Sequence, residues 1–100
     1  MELYEMKLIN YKVEHGKLLR ISVEFQGDRI TQIRITGDFF VHPEESLFEI
    51  ERLLIGKRVN EIKPVLRYFV RTKGVQLVGF SVEDLVEALN LAMVDKETQA

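Results

Sequence analysis

Residues 18–36 read LLRISVEFQGDRITQIRIT, and their alternation sets the fold class. Leu19, Ile21, Val23 and Phe25 share one parity while Arg20, Ser22 and Glu24 share the other, the period-two signature of a strand with one buried face. Gln26-Gly27-Asp28-Arg29 is a tight-turn signal, after which Thr31, Ile33 and Ile35 are predicted inward and Gln32, Arg34 and Thr36 outward. Upstream, in YEMKLINYKV (4–13), Ile9, Tyr11 and Val13 alternate with Leu8, Asn10 and Lys12, and Glu14-His15-Gly16 supplies the turn. Three antiparallel strands in a meander follow.

A sheet with one apolar face must cover it. The chain after Gly37 is patterned for that task. In PEESLFEIERLLIG (43–56), Pro43 is read at the first helical position, Glu44 and Glu45 at the positive end of the helix dipole and Gly56 as the stop, with Leu47, Ile50, Leu53 and Leu54 in one stripe. A second helix is predicted from near Asn60 to Lys73-Gly74, with Ile62, Val65, Leu66 and Phe69 at helical spacing and Pro64 in the first turn. A third begins at Ser81, with Asp84 completing a capping box, Phe80 placed to staple onto Leu85, and Leu85, Leu89 and Ala92 inward. VQLVGF (75–80) reads equally as a short strand or a buried extended linker. The expected fold is α+β, β-β-β-α-α-α, a three-stranded antiparallel meander with helices packed on one face, in a single domain over 1–100 whose tail frays from about 95.

The bulk numbers exclude several functions. With 46% hydrophobic residues in 100, the chain can build one core without staples. It contains no cysteine, which removes disulfides, thiolate catalysis and sulfur-ligated metal or iron-sulfur sites. A net charge of -2 gives no basic field for nucleic acid. No apolar run is long enough to cross a bilayer and MELYEMK has no signal-peptide pattern, so a cytoplasmic location is expected.

Catalytic candidates are thin. His15 falls in a hairpin turn and His42 precedes Pro43, outside any metal-ligand spacing, and both read as structural residues. Glu44-Glu45 and Glu83-Asp84 sit in first helical turns, where the dipole accounts for them. No glycine-rich phosphate loop is present. Lys12, Arg20 and Arg34 on the outward sheet face are readable as an anion-contacting patch, and cross-strand pairing with opposite charges accounts for them as well. The segment ITGDFFVHPEE (35–45) breaks several expectations together. Gly37 can turn the chain off the sheet, Asp38 can accept backbone hydrogen bonds as an Asx turn, and one of Phe39 and Phe40 can enter the core while the other meets solvent as an anchor for a partner. Both rings covering the end of the core is the competing reading.

Three motifs in order, K-L-x-R-I at 17–21, I-x-G-D-F-F at 35–40 followed by P-E-E, and G-F-S-x-E-D-L at 79–85, resemble the C-terminal, or accessory, domain of lipoate-protein ligases from about Tyr11 to Ala92. In some organisms, archaea among them, that domain is a separate small polypeptide. The resemblance implies a non-catalytic accessory subunit of an ATP-dependent system that forms lipoyl-adenylate and transfers the lipoyl group to a lysine of a carrier protein. It implies a fold similar to the SufE/NifU-like iron-sulfur scaffold families, whose chemistry the missing cysteines rule out here. It further implies that the chain binds no cofactor alone, with ATP, Mg and lipoate at the catalytic subunit's site, and that the accessory part supports adenylation while transfer from preformed adenylate proceeds without it. The partners implied are the catalytic subunit and, indirectly, the lipoyl-accepting carriers, with a homodimer as an option for the isolated chain and no nucleic acid or membrane. The partner- or active-site-facing residues it points to are Gly37, Asp38, Phe39, Phe40 and His42. A stand-alone interaction module of the same fold is the alternative.

Overall fold

Alternation in the first third of the chain produces a sheet in the order β1-β2-β3: β1 (Glu5–Lys12), β2 (Leu18–Gln26) and β3 (Arg29–Gly37), all antiparallel. The computed structural model describes residues 5–14 and 17–98, and side chains over 6–14 and 17–94; His15 lies outside the described residues. Ile9 stands opposite Ile21, which stands opposite Ile35, so the inward parities of the three strands coincide. Leu19, Ile21, Val23 and Ile35 are fully buried, whereas Leu8, on the other parity, is 75% exposed.

One inward position differs from expectation. The register slips between Glu24 and Phe25, so that Phe25 pairs with Ile30 while Glu24 pairs with Gln32. The bulge leaves Thr31 as the extra residue and turns Ile30, rather than Thr31, into the core. Thr31 instead donates its hydroxyl to the Glu24 carbonyl at 3.1 Å.

After the meander come β4 (Phe40–His42), α1 (Ser46–Leu54), α2 (Val59–Lys73), β5 (Gln76–Val78) and α3 (Val82–Thr98). The two short strands pair antiparallel as a separate ribbon, Phe40 with Val78, Val41 with Leu77 and His42 with Gln76. This resolves 75–80 as a strand and adds β4, for which three residues carry no readable period. The helix starts also shift. Pro43 precedes α1 in a turn after a cis His42-Pro43 peptide, and its carbonyl accepts the Ser46 N–H at 3.0 Å, so the helix begins three residues later than read. Pro64 is the sixth residue of α2, past its first turn, on the solvent side. At Ser81 the reading holds: Asp84 Oδ2 accepts the Ser81 N–H at 2.9 Å and the Ser81 hydroxyl accepts the Asp84 N–H at 3.1 Å, satisfying two otherwise orphan donors. Helical backbone in α3 continues to Thr98, through part of the 95–100 tail.

The helices lie on the inward face. Ile50 and Leu54 of α1, Ile62 and Leu66 of α2, and Leu85, Ala88, Leu89 and Ala92 of α3 join the strand residues in one buried cluster. Each such leucine or isoleucine contributes about 1.5–3 kcal/mol of burial free energy. The outer edge of β3 is sealed as well: the Ile35 N–H donates to Glu51 Oε2 at 2.7 Å, the Ile30 N–H to the Lys57 carbonyl at 3.0 Å, and the Ile30 carbonyl accepts the Gly56 N–H at 2.7 Å. None of the described helices is long and apolar enough to cross a membrane.

Candidate functional site

Where β3 ends, the chain must leave the sheet without losing contact with β2. Gly37 has φ 146°, a region closed to side chains, and a Cβ there would collide with the Leu18 carbonyl oxygen. That same oxygen accepts the Asp38 N–H at 2.9 Å, so the backbone of 37–38 is pressed against the start of β2. Asp38 is therefore anchored through its own N–H, and its exposed carboxylate makes no Asx turn.

The two phenylalanines divide. Phe39 packs against the core with its ring 4.8 Å from that of Phe80, tilted by 59°, an edge-biased contact worth about 0.5–1.5 kcal/mol beyond burial. Phe40, one residue on in extended chain, points the other way and is 75% exposed. Its cross-strand partner Val78 is 53% exposed on the same face of the ribbon, and two residues along that face lie His42 and Gln76, both exposed. The reading in which both rings cover the core is thus overturned: an apolar pair stands in solvent on a polar-rimmed ribbon.

A second glycine holds the ribbon down. Gly79 has φ 101°, and a Cβ on it would come 3.0 Å from the Asp38 carbonyl oxygen and 3.1 Å from Phe39 Cβ. The chain leaving β5 therefore crosses directly over the 38–39 backbone. Between the end of β3 and the end of β5 lies a cavity of about 430 Å³ bounded by Lys17, Asp38, Phe40, Val78 and Gly79. An adjoining cavity of about 440 Å³ shares Lys17 and Gly79 and extends to Glu14 and the Ser81–Asp84 cap.

Of the residues singled out in the sequence, Gly37, Asp38, Phe39 and Phe40 converge on this cavity, whereas His42 sits beyond it at the far end of β4. Lys17, Val78 and Gly79 were missed. Lys17 and Gly79 lie in the quoted K-L-x-R-I and G-F-S-x-E-D-L stretches and were legible there; Val78 had no signal apart from its pairing. The site offers one cation, one carboxylate and an apolar knob around bare backbone. Among the described residues no cluster of three or more His, Asp or Glu could hold a metal ion. The chemistry available is contact and positioning.

Comparison with known proteins bears on what is positioned. A family model described as the bacterial lipoate protein ligase C-terminus matches residues 5–89. "Lipoate-protein ligase A subunit 2" of Thermoplasma acidophilum is 37% identical over 82 residues, 82% of this chain and 85% of the relative. A solved structure from work on an archaeal lipoylation system, "a bi-partite lipoate protein ligase and its E2 lipoyl domain" from the same organism, aligns with a TM-score of 0.75 at 34% identity, covering 87% of this chain and 97% of that one.

Proposed function

The chain belongs to the family of lipoate protein ligase C-terminal domains, and on that premise we propose that it is the accessory subunit of a two-component lipoate-protein ligase, docking on a separate catalytic subunit to support ATP-dependent lipoyl-adenylate formation in the cytoplasm. The observation that carries this reading is the Phe40–Val78 pair, exposed on a ribbon whose backbone is clamped at Gly37 and Gly79. An aromatic anchor held rigid in the free state loses little entropy on docking.

The nucleotide, magnesium and lipoate are held by the catalytic subunit, which also carries the lysine that binds the adenylate. This chain contributes a closing wall. Docked by Phe40 and Val78, it brings the 37–39 backbone, Lys17 and Asp38 over the nucleotide site, excluding water and fixing dipoles while the mixed anhydride forms. The backbone of Gly37, Asp38 and Phe39, the Asp38 carboxylate and the Phe40 ring face the partner or its active site, with His42 at the edge and the Phe39 ring holding the corner to the core from behind. The lipoyl group then passes to a lysine of a carrier such as an E2 lipoyl domain. Kept from its partner, the chain would pair with a second copy through the same apolar surface.

The test is reconstitution of the two chains. Changing Asp38 and Phe40 together to Ala is expected to lower lipoate-dependent ATP consumption at least about tenfold, an anchor's worth of binding energy, while transfer from supplied lipoyl-adenylate changes little. Equal loss of both half-reactions with the fold intact, or no stimulation of ATP consumption by the unaltered chain, would refute the reading.

A further inference from the structure

The two flanks of α2 differ. On one side it packs on α3, where Arg67 forms an ion pair with Glu83. On the other, toward α1, an apolar slot of about 440 Å³ stays open between Leu53 of α1 and Val65, Tyr68 and Phe69 of α2. Val65 is half-buried yet outside the core cluster, and Tyr68 on the rim is 66% exposed. None of the residues lining this slot lines the corner cavity at Gly37. An exposed aromatic beside an apolar slot marks a surface that contacts another molecule.

The pattern along α2 says which molecule. Glu61, Val65, Tyr68 and Thr72 follow i, i+4, i+7, i+11 and so share one stripe of the helix. The stripe is acidic at its start, apolar in its middle and basic just past its end, at Lys73, which makes no ion pair with a described residue. One Glu61 carboxylate oxygen accepts the Arg58 N–H at 2.8 Å, and the other has no partner among the described residues. Thr72 donates its hydroxyl to the Tyr68 carbonyl at 2.7 Å, so burying it strands no donor. Turned end for end about a two-fold axis between Val65 and Tyr68, the stripe meets its own complement: Val65 faces Tyr68 of the other copy, and Glu61 faces Thr72 and Lys73. We propose that α2 pairs antiparallel with the α2 of a second copy of this chain, each Tyr68 entering the other's slot between Leu53, Val65 and Phe69. The helix dipole favours acid first and base last; antiparallel pairing uses that order at both ends, which two-fold symmetry requires and a partner of unrelated sequence does not. The helix has 15 residues and is about 22 Å long. A strip of that length and two helices wide, about 20 Å, covers roughly 400 Å² per protomer, half the ~800 Å² per partner of a stable pair. The dimer is therefore micromolar and exchanges readily. It shares no lining residue with the corner, so a catalytic subunit docked on Phe40 and Val78 leaves α2 free, and the ligase assembles as four chains.

The experiment is sedimentation equilibrium of the full chain at micromolar concentrations. Phe40→Ala is introduced first, to remove any pairing through the ribbon, and a reversible dimer is expected to persist. Adding Tyr68→Lys is expected to raise its Kd at least about tenfold, the worth of a central aromatic anchor. Lys73→Glu sets like charges against each other at both ends and gives a smaller rise; it serves if Tyr68→Lys disturbs the fold. A Phe40→Ala chain that stays monomeric, or a dimer indifferent to both Tyr68→Lys and Lys73→Glu, overturns the inference. So does a catalytic subunit that binds the Tyr68→Lys chain tenfold more weakly, since the slot is then that subunit's seat. A chain that dimerises as described but binds no catalytic subunit brings down the accessory reading alone and leaves the helix pairing standing.

Discussion

Gly37 shows how much one residue decides. Its φ of 146° and its contact with the Leu18 carbonyl leave no room for a side chain, and Asp38 uses that carbonyl as its anchor. Gly37→Ala combines an unfavourable dihedral with a backbone collision, which together cost about 3 kcal/mol or more. Thermal unfolding is expected to fall by 10 °C or more, since each kcal/mol is worth about 4–8 °C in a chain this small; a shift under about 3 °C would mean that the corner relaxes freely. Phe39 and Phe40 illustrate the opposite case. Identical side chains at adjacent positions take different roles because extended backbone sends them to different sides, and the Phe80 ring selects Phe39.

At the scale of elements, α1 acts as an edge cover as much as a core helix. Its inward stripe buries Ile50 and Leu54, while Glu51 reaches sideways to accept the Ile35 N–H at 2.7 Å. That closes the edge of β3 just before the corner and withholds it from strand addition by another chain. Glu51→Ala leaves the N–H without its acceptor and is expected to cost about 1–3 kcal/mol in chemical denaturation, with Glu51→Gln recovering most of the loss through its amide oxygen. Faster hydrogen exchange at Ile35 in the alanine variant would report the same break. The ribbon is likewise an element made by tertiary context: neither β4 nor β5 has length or period enough to be recognised, and each becomes a strand because the other lies alongside.

Across the whole molecule, the first strand and the last helix are tied by the Tyr11 hydroxyl, which donates to Glu87 Oε1 at 3.0 Å. Desolvation, and then the Glu87 carboxylate, raise the Tyr11 pKa above its ordinary value of 10.0. The fold thus prefers the neutral phenol, so this contribution is intact below pH 10 and is lost as pH rises through the elevated value. Stability measured across alkaline pH should decline more steeply for the unaltered chain than for Tyr11→Phe; parallel curves would dismiss the link. The same scale accounts for the cationic face. Lys12, Arg20 and Arg34 are far apart in sequence, and only the strand register places them together while holding Glu24 against Thr31.

Most of the fold was legible in the chain itself. Alternation in 18–36, helical stripes and the Ser81–Asp84 cap are local patterns, and local patterns state which face is apolar and therefore what must be buried. The bulge that exchanged Thr31 for Ile30, the start of α1 three residues late and the ribbon were not, because each depends on contacts between segments distant in sequence. The motif residues 37–40 could be read, but the role of Phe40 could not, since exposure is a property of what packs nearby. By itself the sequence determined a three-stranded sheet under helices and a chain without thiol chemistry, because periodicity and composition act residue by residue. Tertiary structure alone decided which ring faces solvent, that Gly79 crosses the corner and that Lys12, Arg20 and Arg34 form no ion pair with a described residue, because these are distances between groups that the chain brings together only when it folds.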